Sequence, residues 1–293
     1  MSTTSEQREQ TINAAIREIS HIATLPEITL KIIELVEDPS STAQDLHEVI
    51  NNDPALCARI LKVVNSSFYG LPGQIASINR AIVMLGLNAV KNIAIAASLA
   101  KLFRGGELTP SFGAKDLWTH SNATAAACKV LADTVKVGLG DEAYLAGLIH
   151  DIGVMVEMQF DRTKLIEVIE QCSPDDEGVP AVSMIEIEER VLGATHMEFG
   201  AALCKKWKFP HVFELATRWH HDPSGAPAEH RRIVTLVAVA DKIAAQIAEG
   251  FRLDQTDTTI TNEELDVLQL TAEKLEELKP KIAEAIEQFD LAS

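Results

Sequence analysis

The sequence predicts an all-α fold. Two observations carry that expectation: nearly every patterned segment repeats its apolar residues with the helical period, and no stretch sustains the period-two alternation of a half-buried strand. A third is punctuation, because capping residues, prolines and glycines fall where those periodic runs start and stop.

Taken in order, Pro26 opens a segment in which Ile28, Ile32, Leu35 and Val36 share one face. Thr42 with Asp45 resembles a capping box ahead of Leu46, Val49 and Ile50. Pro54 suits the first turn of a helix running to about Val64, and the turn-rich string Asn65-Ser-Ser-Phe-Tyr-Gly70-Leu-Pro-Gly73 ends it. Ser77 begins a helix interrupted at Leu85-Gly86-Leu87, and another follows from about Asn88 to Phe103. Arg104-Gly-Gly106 through Pro110 reads as a linker. Beyond it the pattern gives helices at about 114–136, 141–160, 161–172 and 180–192. Thr195 with Glu198 is a second capping box, for a helix ending near Trp207. Pro210 and the polar run His221–Pro227 bracket a short helix, and residues 228–249 form a long one. Two charged helices, at 262–270 and 272–289, finish the chain, with Pro280 expected to kink or shorten the last.

Composition narrows the class. The chain has 293 residues, 46% hydrophobic and 24% charged, which is globular and neither disordered nor collagenous. A chain of about 300 residues can remove about three quarters of its unfolded surface from water. Acidic residues outnumber basic ones, 43 against 26, for a net charge of −17. Such a surface repels phosphate backbones, which argues against general nucleic-acid or anionic-membrane binding but leaves room for one small phosphorylated ligand. Cys57, Cys128, Cys172 and Cys204 lie far apart with no CxxC pair, so they read as reduced, buried thiols of an intracellular protein. The start of the chain lacks a signal pattern, and the most apolar stretch, Ala81 to Leu102, is interrupted by Asn88, Lys91 and Asn92. A cytoplasmic location is expected.

The chemistry sits in histidines and aspartates placed on apolar helices. His150-Asp151 lies among Tyr144, Leu145, Leu148, Ile149, Ile152, Val154, Met155 and Val156, a segment apolar nearly all round. Asp241 lies among Leu236, Val237, Ala240, Ile243 and Ala244. Burying these groups unpaired costs several kcal/mol, so each needs a partner. Hydrogen bonds among buried polar residues are one solution. A divalent cation is the other, since imidazole nitrogen and carboxylate oxygen suit zinc, iron, manganese or nickel. Trp118, Trp207 and Trp219 adjoin the histidine strings and read as core packing or, alternatively, as a stacking wall for a base. Lys205-Lys206 and Arg231-Arg232 read as solvated faces or a phosphate clamp, and Leu265, Leu268, Leu275, Leu278, Ile282 and Ile286 as a docking face. No Gly-x-Ser-x-Gly turn, GxGxxG or GxxxxGK[ST] loop is present.

In order, His120, His150, Asp151 and Asp241 match the H…HD…D pattern, and so resemble the HD superfamily of metal-dependent phosphohydrolases. The strings Leu25-Pro-Glu27, Ile50-Asn-Asn-Asp-Pro54-Ala-Leu, Ile60-Leu-Lys-Val-Val-Asn-Ser66-Ser-Phe-Tyr69 and Ile78-Asn-Arg-Ala-Ile82-Val-Met-Leu-Gly86-Leu continue the likeness. Ala146-Gly-Leu-Ile-His150-Asp-Ile-Gly153, Trp207-Lys-Phe-Pro210 and His220-His221 complete it. Together they resemble the HDOD domain, the HD-related output domain of bacterial signalling proteins. The resemblance implies a two-lobed multi-helix bundle over residues 20–225, preceded by a helical segment at 1–19. The helices of 226–293 would complete the core with Asp241.

Family members generally lack an established activity, so the implied role is signal transduction through a ligand or a protein partner. The related HD-GYP phosphodiesterases carry H, HD, H, HH and D, and this chain has all of them: His120, His150, Asp151, His196, His220, His221 and Asp241. The resemblance implies one or two divalent transition-metal ions. His120, His150, Asp151 and Asp241 would hold the first, and His196 with His220 or His221 the second, with Asp151 as the bridge. Adjacent helical residues point about 100° apart, so His220 and His221 are expected to play different roles. Asp116, one turn before His120, would ligate or orient that imidazole. The alternative function is a phosphohydrolase or phosphodiesterase acting on a nucleotide or cyclic dinucleotide. Two departures count against cyclic di-GMP hydrolysis: Val154 stands where the relatives have Lys, and Pro223-Ser-Gly-Ala-Pro227 replaces the Gly-Tyr-Pro loop.

Overall fold

The computed structural model describes residues 4–22, 27–66, 69–100, 102–103, 106–109, 112–135, 140–175, 178–247 and 250–288. Pro26, parts of the 104–110 linker and Ser67-Phe68 of the family strings lie outside that range. The first lobe follows α1 (Ser5–Ile22) and comprises α2 (Glu27–Glu37), α3 (Ala43–Asn51), α4 (Pro54–Val64), α5 (Ile78–Leu85) and α6 (Leu87–Leu99). A short hairpin, β1 (Glu107–Thr109) and β2 (Phe112–Gly113), leads into α7 (Ala114–Val135), α8 (Gly140–Ile149), α9 (Ile152–Phe160) and α10 (Arg162–Cys172). The chain continues through α11 (Met184–Val191), α12 (His196–Lys206), α13 (His211–Trp219), α14 (Arg231–Ile247), α15 (Asn262–Leu268) and α16 (Ala272–Gln288).

Local chemistry sets these ends. Thr42–Asp45 and Thr195–Glu198 both form reciprocal capping boxes, and Pro54 occupies the first turn of α4 behind the Asp53 cap. Gly86, at a φ of 94°, makes the left-handed break that separates α5 from α6. Helix α6 is the spine of the first lobe: Ala89 through Leu99 are all buried, and α2, α4 and α5 pack around it. Lys91 is tolerated there because its ammonium donates to the Leu35 carbonyl and the Ser41 hydroxyl. Helix α7 is the spine of the second lobe, lying against α8, α14 and α16, and the α6–α8 contact joins the lobes. The N-terminal α1 lies on α9 and α12, where Arg8 pairs with Glu189 and Glu198.

Four expectations need correction. Part of the expected linker is the hairpin, pairing Glu107 with Gly113 and Thr109 with Phe112. Strands of three and two residues are too short to show an alternation, and the buried Phe112 ring against Phe251 anchors them. The expected helix at 180–192 begins at Met184, because the Ala181 and Val182 N–H groups instead donate to the Cys172 carbonyl at the end of α10. The last helix runs unbroken past Pro280. Leu275, Leu278, Ile282 and Ala285 bury one face of α16, which lies along α7, and that packing outweighs the single missing N–H. Finally, the helix expected over 141–160 is two helices, α8 and α9, broken at His150-Asp151. No described helix is long and apolar enough to cross a membrane.

Candidate metal centre

The break between α8 and α9 builds the centre. Asp151 has φ −97° and ψ 17°, outside the helical well, so His150 and Asp151 turn toward the same interior point and not 100° apart. Close helix crossings then bring the other donors in. A Cβ on Gly147 would lie 2.6 Å from Cys128 Sγ, so α8 and α7 meet backbone to side chain. A Cβ on Gly153 would lie 1.8 Å from the His196 carbonyl oxygen, and one on Gly200 would lie 2.5 Å from Thr217 Cγ2. Only glycine permits α9, α12 and α13 to approach this closely, and their ends carry Asp151, His196 and His220.

His120, on α7, and Asp241, on α14, face each other, with Nε2 and Oδ1 2.9 Å apart. His150 Nε2 lies 3.1 Å from Asp151 Oδ2 and 3.6 Å from Asp241 Oδ1, and His120 Nε2 lies 3.7 Å from the same Asp151 oxygen. The second oxygen of Asp151, Oδ1, faces His220 Nε2 at 3.2 Å and His196 Nε2 at 3.7 Å. His221 turns to another carboxylate, Asp254 Oδ2, at 3.1 Å. The donors therefore fall into two groups: His120, His150 and Asp241, and then Asp151, His196, His220, His221 and Asp254. Asp151 has one oxygen toward each.

The far nitrogens of the imidazoles are anchored. His150 Nδ1 donates to the Gly147 carbonyl at 2.7 Å and His220 Nδ1 to the Thr217 carbonyl at 2.9 Å. His196 Nδ1 donates to Glu188, 2.9 Å from Oε1, and the same carboxylate accepts the His196 backbone N–H at 3.1 Å. Each anchor fixes the tautomer so that Nε2 offers its lone pair to the centre, the arrangement seen in metal-ligating histidines. Gln255 donates to Asp241 Oδ2.

What remains at the middle is unsatisfied. Nε2 of His150, His196, His220 and His221, both oxygens of Asp151 and Asp254, and Oδ1 of Asp241 are buried without a hydrogen-bond partner among the described residues. Orphaned polar atoms are rare in protein interiors, and here they all face one small volume. Without a cation the residues share protons. Burial works against the charged imidazoles of His120 and His150, but Asp241 and Asp151 outweigh it and raise both pKa values. Glu188 does the same for His196, pushed up to about 9. Burial and then the neighbouring His221 push His220 down to about 3. Burial disfavours charge on Asp151 and Asp241 too, but the histidines around them hold both carboxyls well below the usual range. The buried carboxylates thus hold negative charge that protons on the imidazoles or a metal ion can answer.

Asp116 joins neither group: its carboxylate accepts the Gly113 N–H at 2.7 Å and its carbonyl accepts the Phe251 N–H. Trp118 packs on Phe103 and Trp207 near Phe209 in the core, while Trp219 is half-buried beside the Arg218 guanidinium. Lys205 and Lys206 are exposed, while Arg231 donates to the Ser224 carbonyl and Arg232 to the Val135 carbonyl at the end of α7. Three groups at the centre escaped the sequence reading. Glu188 is one of three glutamates on α11. Asp254 and Gln255 sit on the irregular segment after α14, where no helical period marks a buried side. Gly250, at a φ of 132°, lets that segment turn onto α7, where a Cβ would lie 2.8 Å from the Asp116 carbonyl.

Comparison with known proteins agrees with this architecture. A family model described as the HDOD domain matches residues 22–223. A curated, uncharacterized protein of Treponema pallidum is 26% identical over 240 residues, covering 80% of this chain and 45% of that protein, so the chain spans about half the length of this relative. A crystal structure of an HDOD domain protein of unknown function from Geobacter sulfurreducens shares 25% identity with a TM-score of 0.72, covering 96% of this chain and 98% of that one. A Marinobacter aquaeolei protein, provisionally described as a signal transduction protein, superposes at a TM-score of 0.74 with 23% identity, over 97% of this chain and 64% of that one. A Shewanella amazonensis protein, provisionally described as a metal-dependent phosphohydrolase, superposes at 0.62 with 21% identity, over 96% of this chain and 98% of that one. The last two likenesses speak for the fold alone. With more than half of its length matched by the family model and the same helical fold in its neighbours, the chain belongs to the HDOD domain family.

Proposed function

We propose that this chain is a signal-transduction module built around a divalent-metal centre, acting by binding a ligand or a protein partner. The observation that carries the metal is the set of orphaned donors: imidazole nitrogens and carboxylate oxygens, buried and facing one volume. Their chemistry suits iron, manganese, zinc or nickel. His120, His150 and Asp241 would hold one ion, and His196, His220, His221 and Asp254 another, with Asp151 shared. Support for binding without turnover comes from position 154, where a fully buried valine stands in place of the lysine of hydrolytic relatives. Support for signalling comes from the family and from the neighbour described, provisionally, in those terms.

A second reading, metal-dependent phosphohydrolysis of a nucleotide, is favoured by the two-sided placement of Asp151. A bound metal lowers the pKa of its water from about 15.7 to about 7, which supplies hydroxide for attack on phosphorus. Elemental analysis of untagged protein, followed by a screen of nucleoside phosphates, (p)ppGpp and cyclic dinucleotides, tests both readings. One or two ions per chain with no turnover is the expected result. Metal-dependent turnover lost in Asp151→Ala would replace the first reading with the second, and a metal-free protein unmoved by chelator would sink both.

A further inference from the structure

Two glutamates meet on the Nδ1 side of the His196 ring, behind the metal donors. Glu188, on α11, and Glu157, on α9, are both 0% exposed, and their carboxyls lie within hydrogen-bond reach of each other. Both oxygens of Glu188 already act as acceptors: the His196 Nδ1–H lies 2.9 Å from Oε1, and the His196 backbone N–H donates to Oε2 at 3.1 Å. Glu157 has no such donor. Neither of its oxygens has a hydrogen-bond partner among the described residues, and the side chain it touches is another acceptor. Two carboxylates placed like this in a protein interior cannot both stay ionised. The form that satisfies both is one neutral acid, whose O–H supplies the missing donor. Burial first, and the facing Glu188 next, push the Glu157 carboxyl well above the usual carboxylate range, in agreement with that geometry.

We infer that Glu157 is held as a neutral carboxylic acid that donates its O–H to Glu188, and that through Glu188 it is a positioning residue for His196. Glu188 then sits between two donors, Glu157 on one side and His196 Nδ1–H on the other, and His196 Nε2 is left facing Asp151 Oδ1. A group that orients a metal-ligating imidazole works only as well as it is itself held. The neutral form also keeps one more negative charge away from Asp151, which already faces both donor groups. The consequence for metal binding rests on the metal reading above, whereas the protonation of Glu157 does not.

Infrared spectroscopy of the full chain at neutral pH reads the proton directly. The wild type should show the C=O stretch of a buried carboxylic acid, and Glu157→Gln should lack it. Zinc affinity, measured by competition with a chromophoric chelator, reads the positioning. Glu157→Gln, whose amide N–H replaces the O–H donor, should bind zinc as the wild type does. Glu157→Leu, which keeps the volume and removes the donor, should bind zinc about tenfold more weakly in the His196 group. Absence of the band in the wild type, or its survival in Glu157→Gln, overturns the inference. Equal weakening in the Gln and Leu variants overturns it too, as does full affinity in a folded Glu157→Leu. Should Glu157→Leu fail to fold, the band and the affinity of Glu157→Gln decide. A wild type that binds no zinc would defeat the metal reading, and the infrared band would still decide this inference by its presence or absence.

Discussion

Helices α6 and α14 each run through the middle of a lobe, and each buries one charged residue among apolar ones, yet they treat that charge in opposite ways. Lys91 on α6 is answered within its own lobe: α2 and the turn before α3 bring the Leu35 carbonyl and the Ser41 hydroxyl to its ammonium. Asp241 on α14 is answered only in part. Gln255 takes one oxygen, and the other faces His120 and His150 with no hydrogen-bond partner among the described residues. The difference separates a buried charge that serves the fold from one held ready for something else. A structural charge acquires protein partners, because leaving it unpaired costs several kcal/mol. A functional charge keeps that cost and relies on a bound species to offset it.

Four experiments would break or sharpen that contrast, and the largest effect is expected at the helix crossing. In Gly153→Ala the new methyl would lie 1.8 Å from the His196 carbonyl, so α9 and α12 must separate. Overpacking commonly costs about 1–3 kcal/mol, and a clash against backbone belongs to its upper tail. The variant should be recovered mainly unfolded, read by circular dichroism, and a melting curve like the wild type's would mean that the centre does not depend on this approach.

Metal removal comes next. An ion held at a free concentration 100 times its Kd adds about 2.7 kcal/mol to stability, which in a chain of this size moves the melting temperature by roughly 4–5 °C. Chelator should lower the wild-type Tm by that order and barely move His150→Ala/Asp151→Ala. Equal shifts in both proteins would place the chelated ion elsewhere.

The third test divides the centre. Asp254→Asn should lose the ion of the His196, His220 and His221 group and keep the other, while Asp241→Asn does the reverse, as counted by elemental analysis. Loss of all metal in both variants would make the two groups one site.

The smallest effect is expected in the first lobe. Lys91→Met leaves the Leu35 carbonyl and Ser41 hydroxyl without their donor, for a loss of about 1–3 kcal/mol in chemical denaturation, and metal content should stay at the wild-type value. A fall in metal content would join the two helices that the comparison sets apart.

Much of this protein was legible before any coordinate. The helical period, the capping boxes at Thr42 and Thr195 and the break at Gly86 are local signals, set within a few residues, and the structure carries each of them. His150, Asp151 and Asp241 stood out because charge on an apolar helix is a local anomaly, whereas His120, His196, His220 and His221 entered through the resemblance to the HD family. Only the tertiary structure decided the rest. That His150 and Asp151 break a helix depends on what surrounds them, since a run of good helix formers is overridden when two polar groups gain more by facing the same interior point. Asp254 and Glu188 carry no mark in the sequence, because one sits on an irregular segment and the other among surface acids. Their importance arises from proximity to His221 and His196, 33 and 8 positions away, which only the folded chain brings about. Propensity and periodicity act along the chain, whereas the demand that every buried donor and acceptor find a partner acts across space, and that demand chose the site.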